Sequence, residues 1–529
     1  MRFDAVVIGA GFSGMYMLHR LRELGLSARV YETGDGVGGT WYWNRYPGAR
    51  CDVESVQYSY SFDEKLEQEW EWSERYPSQP EILRYAEHVA DRFGLRRDIR
   101  FETRVTRAAY DEAARLWRVE TDRGDRVEAT YLISAVGCLS AARVPDFPGR
   151  DAFRGPSHHT GRWPHEGVDV TGRRVAVIGT GSSGIQAIPV IAGRAEHVTV
   201  FQRTPNFSLP AWNRPLNPLD ERWVKENYPR LRQEMRTSQI GLLIPVNEGS
   251  ALEAGPRERA REFESRWETG GFAFLGAYAD IGVDPAANEI AAEFVRGKIR
   301  EIVADPGVAE LLSPRDHPIG SKRICVDTGY YATYNRPNVT LVDVRRTPIE
   351  AITPTGVRTS AGDHDVDMIV YATGYDAMTG PLLAIDITGR GGVPLRTKWR
   401  AGPRTYLGLM TAGFPNLFTI TGPGSPSVLS NMMVSIEQHV DWIAGCLVRL
   451  RDRGVTAIEP DPAAEDAWVA HVNEVAAATL FPRADSWYLG ANVPGKPRVF
   501  MPYVGGVGVY RDKCDQVAAD GYEGFLLSA

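Results

Sequence analysis

Two glycine-rich turns, each lying between an apolar run and a helical pattern, constrain the fold of this chain more than any other feature. The first turn separates FDAVVIG (3–9) from residues 12–25, and the second separates RRVAVIG (173–179) from residues 182–195. Each unit then continues into another short apolar run, which is typical of a buried strand. Units of this order pair their strands in parallel, so the chain is predicted to contain two parallel sheets.

The first turn has the spacing of a dinucleotide-binding fingerprint, with Gly9, Gly11 and Gly14. In that fingerprint the first glycine permits a tight turn, the second lets the backbone approach a pyrophosphate, and the third lets the helix pack on the strand. Glu32 ends the next strand, where a carboxylate accepts hydrogen bonds from a ribose diol. The segment GDGVGG (34–39) has the same spacing but precedes no helical pattern, and we interpret it as a chance match. The first turn is therefore predicted to bind FAD or NAD.

The second turn repeats the spacing with Gly179, Gly181 and Gly184, but its following strand ends in Arg203 and Thr204 without an acid. An acid there would repel a 2′-phosphate, whereas an arginine would pair with it, so this turn is predicted to bind NADP(H). Two dinucleotides in one chain indicate a flavin and a nicotinamide, and hence hydride transfer from NADPH to FAD. We predict an α/β protein with two Rossmann-like dinucleotide-binding domains.

Between the second unit and residue 320 the pattern changes to charged, amphipathic stretches, such as 219–235 and 288–305. Residues 209–319 are therefore predicted to form a helical insert. A later strand (366–376) and helix (435–454) complete domains built from separated segments. We predict an FAD-binding domain of 1–145 plus 372–529 and an NADP-binding domain of 146–208 plus 320–371.

Composition excludes several classes of function. The net charge of −7 argues against nucleic acid as a partner, and no apolar run reaches the roughly 18 residues of a membrane span. The opening residues do not resemble a signal peptide, and the five scattered cysteines form no CxxC pair. We therefore expect a cytoplasmic protein with neither a disulfide framework nor a dithiol redox centre. Disulfide reductases need a CxxC pair beside the flavin and are therefore excluded. Among enzymes that use a flavin and a nicotinamide, electron-transfer reductases and monooxygenases remain.

The segment DAFRGPSHHTGRWPHE (151–166) decides between them. Its residues Phe153, Gly155, His159, Trp163 and Pro164 match the fingerprint FxGxxxHxxxW(P/D), and the chain thereby resembles the Baeyer–Villiger monooxygenases. Flavin-dependent N- and S-oxygenating monooxygenases carry a related pattern without the tryptophan. Further segments resemble the phenylacetone monooxygenase branch of the family: 38–55, 79–95, 402–418, 422–432 and 486–500.

The resemblance implies that ketones (aryl, cyclic or bulky) are converted to esters or lactones with O₂ through a C4a-peroxyflavin. The peroxide and the following adduct are both negative, so a fixed cation beside them is stabilising, and arginine keeps its charge at any physiological pH. In the family an arginine that follows a lysine has this role, which corresponds here to Lys322 and Arg323. Arg323 is the expected catalytic cation and Asp52 the carboxylate that orients it, while Lys322 is expected to join Arg203 at the 2′-phosphate.

The resemblance also implies sets of binding residues. The expected FAD contacts are Gly9, Gly11, Phe12, Ser13, Gly14, Glu32, Gly39, Thr40, Trp41, Asp52, Tyr58, Val105 and Met432. The expected NADP contacts are Gly179, Thr180, Gly181, Ser182, Ser183, Gly184, Arg203, Thr204, Lys322, Arg323 and Trp487. The expected substrate pocket comprises Pro426, Ser427, Val428, Leu429 and Met432, although the branch often has alanine at 428 and leucine at 433.

We interpret the fingerprint segment as a linker between the two domains, neither helix nor strand. Phe153 and Trp163 would anchor this linker, and Gly155 would let it bend. The pair His158 and His159 has no further ligand at metal spacing, so no metal site is predicted.

Two other functions stay open: an N- or S-oxygenating flavin monooxygenase, and a flavin redox sensor without turnover. NADPH must first reduce FAD, and NADP⁺ must then remain to shield the oxygenated flavin. We therefore expect the nicotinamide domain and the 484–500 loop to move between these stages. The expected partners are the ketone and O₂, and the expected state is a monomer or weak homo-oligomer.

Overall fold

The computed structural model describes residues 1–529. Its strands, in chain order, are β1 (Arg2–Ile8), β2 (Ala28–Tyr31), β3 (Ile99–Arg100), β4 (Val105–Asp111), β5 (Leu116–Thr121), β6 (Arg126–Ser134), β7 (Ser157–His159), β8 (Arg174–Ile178), β9 (His197–Gln202), β10 (Ser208–Pro210), β11 (Cys325–Asp327), β12 (Val339–Asp343), β13 (Ile349–Thr353), β14 (Gly356–Thr359), β15 (Gly362–Asp365), β16 (Met368–Tyr371), β17 (Asp386–Thr388), β18 (Leu417–Thr419), β19 (Ala457–Pro460) and β20 (Phe525–Ser528).

The α-helices are α1 (Phe12–Glu23), α2 (Thr40–Trp43), α3 (Glu64–Glu69), α4 (Gln79–Arg92), α5 (Ser182–Ala192), α6 (Pro218–Thr237), α7 (Pro256–Thr269), α8 (Pro285–Ile302), α9 (Pro306–Leu312), α10 (Tyr330–Thr333), α11 (Gly380–Leu383), α12 (Leu395–Lys398), α13 (Met432–Asp452), α14 (Pro462–Ala477) and α15 (Val507–Ala519). None of them combines the length and apolarity that crossing a bilayer requires.

The first sheet has the order β17-β4-β5-β6-β1-β2-β3, with β18 also paired to β6. Its centre is parallel, as predicted, because β1 pairs in parallel with both β2 and β6. The strands β4, β5 and β6 are instead joined antiparallel. The prediction of a wholly parallel sheet was therefore wrong for this half: short connections, of four residues each, let these three strands form a meander.

The second sheet has the order β12-β9-β8-β16-β7 and is parallel throughout. Its central strands β8 and β9 read as nearly continuous apolar runs and are almost entirely buried. That is expected of a parallel sheet with both faces covered. The α/β architecture with two dinucleotide-binding units is thus confirmed.

The fingerprint segment departs from its interpretation as a linker without regular structure. Ser157–His159 forms β7, which pairs in parallel with Ile369–Tyr371 at the edge of the second sheet. The strand is only three residues long and lies in a polar segment, so neither apolar alternation nor a continuous apolar run marks it. The strand predicted over 366–376 is likewise shorter, since β16 ends at Tyr371.

The predicted helical insert is present as α6 to α9, but its parts pack on different neighbours. Met235 of α6 shares an apolar cluster with Val434 of α13 and Val507 of α15. Phe263 of α7 and Val295 of α8 belong instead to the core that includes strands β8 and β9. The insert therefore contacts both sheet-bearing units, and the domain boundaries given above remain a prediction.

Candidate cofactor and catalytic site

The first glycine turn leaves no room for side chains at two of its glycines. Gly9 has a φ of +105°, and a Cβ atom there would lie 2.6 Å from the carbonyl oxygen of Ala135. A Cβ on Gly14 would lie 1.8 Å from the carbonyl oxygen of Gly9. Both positions therefore require glycine, one because of its backbone conformation and the other because α1 packs directly on β1.

The second turn has nearly the same geometry. Gly179 has a φ of +110°, and its Cβ would lie 2.4 Å from the carbonyl oxygen of Ala372, while a Cβ on Gly184 would lie 2.3 Å from the carbonyl oxygen of Gly179. A Cβ on Gly181 would meet no protein atom within 4 Å. The middle of this turn therefore faces open space, where a ligand can approach the backbone.

Both turns end in helix N-termini suited to an anion. The caps of α1 and α5 are Gly11 and Gly181, which have no side chain to accept from the first N–H groups, and neither first turn contains an acid. The free N–H groups and the helix dipole attract negative charge at both places. These residues fit the pyrophosphates of two dinucleotides.

Glu32, the expected ribose ligand, follows β2 and contacts the first turn. Its carboxylate is buried and accepts hydrogen bonds from the backbone N–H groups of Ala10 and Gly34, both at 2.8 Å. Burial raises the pKa of this carboxyl group, and the hydrogen bonds oppose the shift. The GDGVGG segment opens only the four-residue α2, and its Gly39 packs closely against Gly11.

Aromatic residues expected to contact FAD lie together beside the first turn. The indole N–H of Trp41 donates to the Tyr58 hydroxyl at 3.0 Å, and the Phe12 ring lies 6.1 Å from the Tyr58 ring. Ser13 is buried, whereas Thr40 is exposed at the start of α2. Val105, at the start of β4, belongs to the same apolar cluster as Tyr31, which precedes Glu32.

The residues expected at the 2′-phosphate form a group of cations. Arg203 is exposed after β9 and makes no ion pair, and the Lys322 ammonium is half-buried near it. The pKa of Lys322 is lowered, chiefly by burial; Asp316 opposes the shift and Arg203 adds to it. Thr204 contributes its carbonyl oxygen, which accepts a hydrogen bond from the Thr180 hydroxyl at 3.0 Å. An unpaired arginine beside a lysine suits a phosphate.

Asp52, which follows α2, and Arg323, which precedes β11, form an ion pair. Nη2 of Arg323 lies 3.3 Å from Oδ2 of Asp52, and Nη1 donates to the carbonyl oxygen of Val428 at 3.1 Å. The arginine side chain is 30% exposed and the aspartate side chain 8%. Burial is the largest single influence and opposes the arginine charge, but Asp52, Tyr488 and two neighbouring thiols together outweigh it, so the pKa of Arg323 is raised. Burial also raises the pKa of Asp52, against the influence of Arg323.

One of the residues expected to line the substrate pocket, Val428, contacts Arg323. Val428 belongs to one apolar cluster, against which Leu429 and Met432 pack. The same cluster contains Tyr488 and contacts Trp487, which is expected to bind NADP. Pro426 and Ser427 begin a short 3₁₀ turn, in which Ser427 has a φ of +32°. Since Arg323 donates to the Val428 carbonyl, the ion pair and the expected pocket are in direct contact.

Sequence reasoning missed two further neighbours of the ion pair. The Phe272 ring, from the insert, lies 5.7 Å from the guanidinium carbon of Arg323. Gln186 of α5 reaches Asp52, with Nε2 at 3.5 Å from Oδ1. Nothing in the local pattern around Phe272 indicated such a position. Gln186 stands two residues after the third glycine of the second turn, so the sequence places it beside that turn. The sequence does not indicate that it contacts Asp52.

The fingerprint residues attach to the second sheet rather than to the ion pair. Phe153 and Trp163 pack in different apolar clusters of that unit. Gly155 does not have a positive φ; its Cβ would lie 2.4 Å from the carbonyl oxygen of Asp367, so close approach and not bending requires glycine. The Thr160 hydroxyl donates to the Ser183 hydroxyl of α5 at 3.1 Å.

The two histidines of this segment have separate surroundings. Nδ1 of His159 accepts from the backbone N–H of Gly161 at 2.9 Å, and burial lowers the pKa of His159 to about 4. The His158 ring packs 5.5 Å from the Trp163 ring. No group of three potential metal ligands lies at either ring.

Comparisons with known proteins find relatives along nearly the whole chain. The family model of the pyridine nucleotide-disulphide oxidoreductases matches residues 6–237. A Baeyer–Villiger monooxygenase of Pseudooceanicola batsensis is 46% identical over 99% of this chain and 96% of that protein. A phenazine N-monooxygenase of Lysobacter antibioticus is 44% identical over 99% of this chain and 97% of that protein. The solved structure of an oxidized steroid monooxygenase bound to NADP superimposes with a TM-score of 0.96, at 55% identity and covering 100% of both chains.

Proposed function

The chain belongs to the Baeyer–Villiger monooxygenase family, and from this premise we propose that Arg323 and Asp52 form its catalytic ion pair. The enzyme uses FAD and NADPH and converts ketones to esters or lactones with O₂. The observation that carries the proposal is the contact between Arg323 and Asp52, which joins the segment after the first glycine turn to the segment before β11.

The two turns divide the cofactors between them. The first turn and Glu32 hold FAD, and the second turn with Arg203 and Lys322 holds NADP(H), in which the 2′-phosphate meets the two cations. FAD, when bound, accepts hydride from NADPH and activates O₂ toward the ketone. The glycines that leave no room for a side chain, the uncapped helix N-termini and the buried carboxylate support this assignment.

Arg323 supplies positive charge at the ketone oxygen. A guanidinium has five N–H donors, and Asp52 and Val428 use two of them, so others can donate to the substrate. Negative charge develops on the ketone oxygen as its carbon becomes tetrahedral, and a preorganised cation stabilises that charge. Asp52 neutralises the partly buried guanidinium and holds its orientation.

The ketone is proposed to lie against Val428, Leu429 and Met432. These side chains pack around one apolar cluster, and the cluster adjoins Arg323 through the Val428 carbonyl. Valine at 428 is larger than alanine, so the pocket is expected to be narrower there than in branch members with alanine.

Substitution of Arg323 tests the proposal. The change Arg323→Ala is expected to lower ester formation by roughly 100-fold or more, because one preorganised charge is lost from the transition state. Arg323→Lys keeps a charge but loses the planar fork, so it is expected to recover only part of the rate. Ester is measured by gas chromatography, with Arg498→Ala as an exposed control. Full ester formation by Arg323→Ala would contradict the role.

N-oxygenation is a second candidate, because the phenazine N-monooxygenase is nearly as similar as the Baeyer–Villiger relative. Turnover of a ketone and of an aromatic N-heterocycle under the same conditions separates the two. We expect the ketone to be the better substrate. A clear preference for the heterocycle would reverse the order.

Cellular location and assembly are proposals of a coarser kind. We propose a cytoplasmic protein that is a monomer or a weak homo-oligomer. Light scattering over a range of concentrations measures the mass, and a stable tetramer would contradict the second part.

A further inference from the structure

Gln186 joins the nucleotide-binding helix to the segment that carries Asp52. Its Oε1 accepts hydrogen bonds from the Tyr46 hydroxyl at 2.8 Å and the Arg50 backbone N–H at 3.3 Å. Its Nε2 donates to the Arg50 carbonyl at 2.9 Å and reaches Oδ1 of Asp52 at 3.5 Å. A side-chain amide has two donor and two acceptor positions, so this nearly buried amide is fully used by one segment, 46–52.

The backbone of that segment approaches α5 at the same residue. Gly48 has a φ of +83°, and a Cβ atom there would lie 2.3 Å from the carbonyl oxygen of Gln186 and 3.0 Å from Val190. Only glycine permits this approach. Segment 46–52 is therefore held on α5 through both the backbone and the side chain of Gln186.

The Asp52 carboxylate lies between two partners. One oxygen faces Gln186 and the other faces Arg323, while the backbone N–H of Val326 also approaches the carboxylate. A series of contacts thus runs from α5, whose N-terminus forms the second glycine turn, to the guanidinium. Each group in this series is at least half-buried, so a shift of one member displaces the next.

We infer that Gln186 is a positioning residue that sets the orientation of Asp52, and through it of Arg323, according to the position of helix α5. The inference rests on the proposed roles of Asp52 and Arg323. It implies that the nucleotide-binding helix and the catalytic cation move as one unit.

Three variants and one control test this inference. Gln186→Leu keeps the approximate volume and removes all four contacts, and Gln186→Glu keeps the bond from Tyr46 but replaces the donor that faces Asp52. Tyr46→Phe removes only the Tyr46 bond. The control is Asn338→Leu, because Asn338 donates to the carbonyl oxygens of Ala192 and Ala195 at the opposite end of α5.

The first measurement needs no nucleotide. Hydrogen exchange of the backbone amides in 46–52 is expected to accelerate several-fold in Gln186→Leu, because the segment loses its side-chain anchor, and to stay unchanged in Asn338→Leu. Unchanged exchange in both Gln186 variants would overturn the inference.

The second measurement is the rate at which NADPH reduces the flavin anaerobically, in wild-type and Asp52→Asn backgrounds. Gln186→Leu and Gln186→Glu are expected to slow reduction roughly 10-fold at unchanged NADPH affinity, since misplacement of reacting groups is costly. In the Asp52→Asn background neither should slow it further. Tyr46→Phe is expected to have a smaller effect in the wild-type background.

The outcomes separate the inference from the proposal beneath it. If Asp52→Asn alone leaves both reduction and ester formation unchanged, the proposed role of Asp52 fails. If Asp52→Asn slows the enzyme but the Gln186 variants slow it by the same factor in both backgrounds, Gln186 does not act through Asp52.

Discussion

The first and second glycines of the second turn, Gly179 and Gly181, differ in whether the protein leaves room for a side chain, and this gives a test at the residue scale. Gly179→Ala places a methyl group 2.4 Å from the Ala372 carbonyl oxygen at positive φ, so we expect unfolding free energy to fall by about 2 kcal/mol or more. Gly181→Ala meets no protein atom, so the fold should persist while KM for NADPH rises. Thermal melting and steady-state kinetics measure the two effects. Equal losses of stability would contradict the distinction.

The lowered pKa of Lys322 predicts a pH dependence of NADPH binding. The ammonium is charged below its pKa, and burial lowers that pKa, so charge is lost at a lower pH than for an ordinary lysine. KM for NADPH should therefore rise in the alkaline range as the attraction for the 2′-phosphate disappears. The rise should be absent with NADH, which has no 2′-phosphate, and in Lys322→Met. The same rise with NADH would show that another group titrates.

The residues proposed for the catalytic site and their neighbours differ in how far the sequence could predict them. Arg323 and Asp52 stand in motifs that resemble a family, and the structure brings them to 3.3 Å. Gln186 and Phe272 reach the same place from a helix and from the insert, and no local pattern records which distant residue a side chain faces. Long-range contacts of single side chains are the part of a site that one sequence leaves open.

At the scale of elements, the 484–500 loop is hydrogen-bonded to residues 375–377, which lie between β16 of the second sheet and β17 of the first. Lys496 contacts Asp376 at 2.5 Å and the Ala377 carbonyl at 2.7 Å, and the Asn492 amide donates to the Tyr375 carbonyl at 2.7 Å. The loop carries Trp487, which is expected to contact NADP. Order in the loop should therefore favour nucleotide binding.

Loss of the Lys496 contacts is predicted to weaken NADP⁺ binding. In Lys496→Met the loop must be ordered at the moment of binding, so affinity is expected to fall roughly three- to ten-fold by calorimetry. The matched control is Arg498→Ala in the same loop, whose ion pair with Asp485 is exposed at both partners and contributes little. Equal losses in both variants would contradict a specific role for Lys496.

Elements themselves were predicted best where the pattern is local. The two strand–turn–helix–strand units lie within about two or three residues of their predicted bounds, because periodicity and glycine caps record them directly. Which strands pair with one another is harder to predict from the sequence. The antiparallel order of β4 to β6 and the addition of β7 to the second sheet depend on partners far along the chain.

At the scale of the whole molecule, a buried ion pair fixes the insert to the first sheet-bearing unit. Arg232 of α6 contacts Glu67 at 2.8 Å, and their side chains are 6% and 9% exposed. Arg232→Met leaves Glu67 buried without its partner, so unfolding free energy should fall by about 3 kcal/mol or more. Arg230→Met, beside it, breaks only the exposed pair with Glu234 and should change stability by less than about 1 kcal/mol. Chemical denaturation measures both losses of unfolding free energy. Similar losses in the two variants would contradict a stabilising role of the Arg232–Glu67 pair.

The edge position of β7 has a consequence for solubility. A parallel sheet of five strands exposes unpaired N–H and C=O groups at its outer edges, and such edges invite pairing with a second chain and aggregation. Here β16 is covered by a strand of only three residues, which follows Pro156 and leads into a 3₁₀ turn at Thr160. A strand so short offers little template to another molecule. The fingerprint segment thus also shortens the exposed edge of the second sheet.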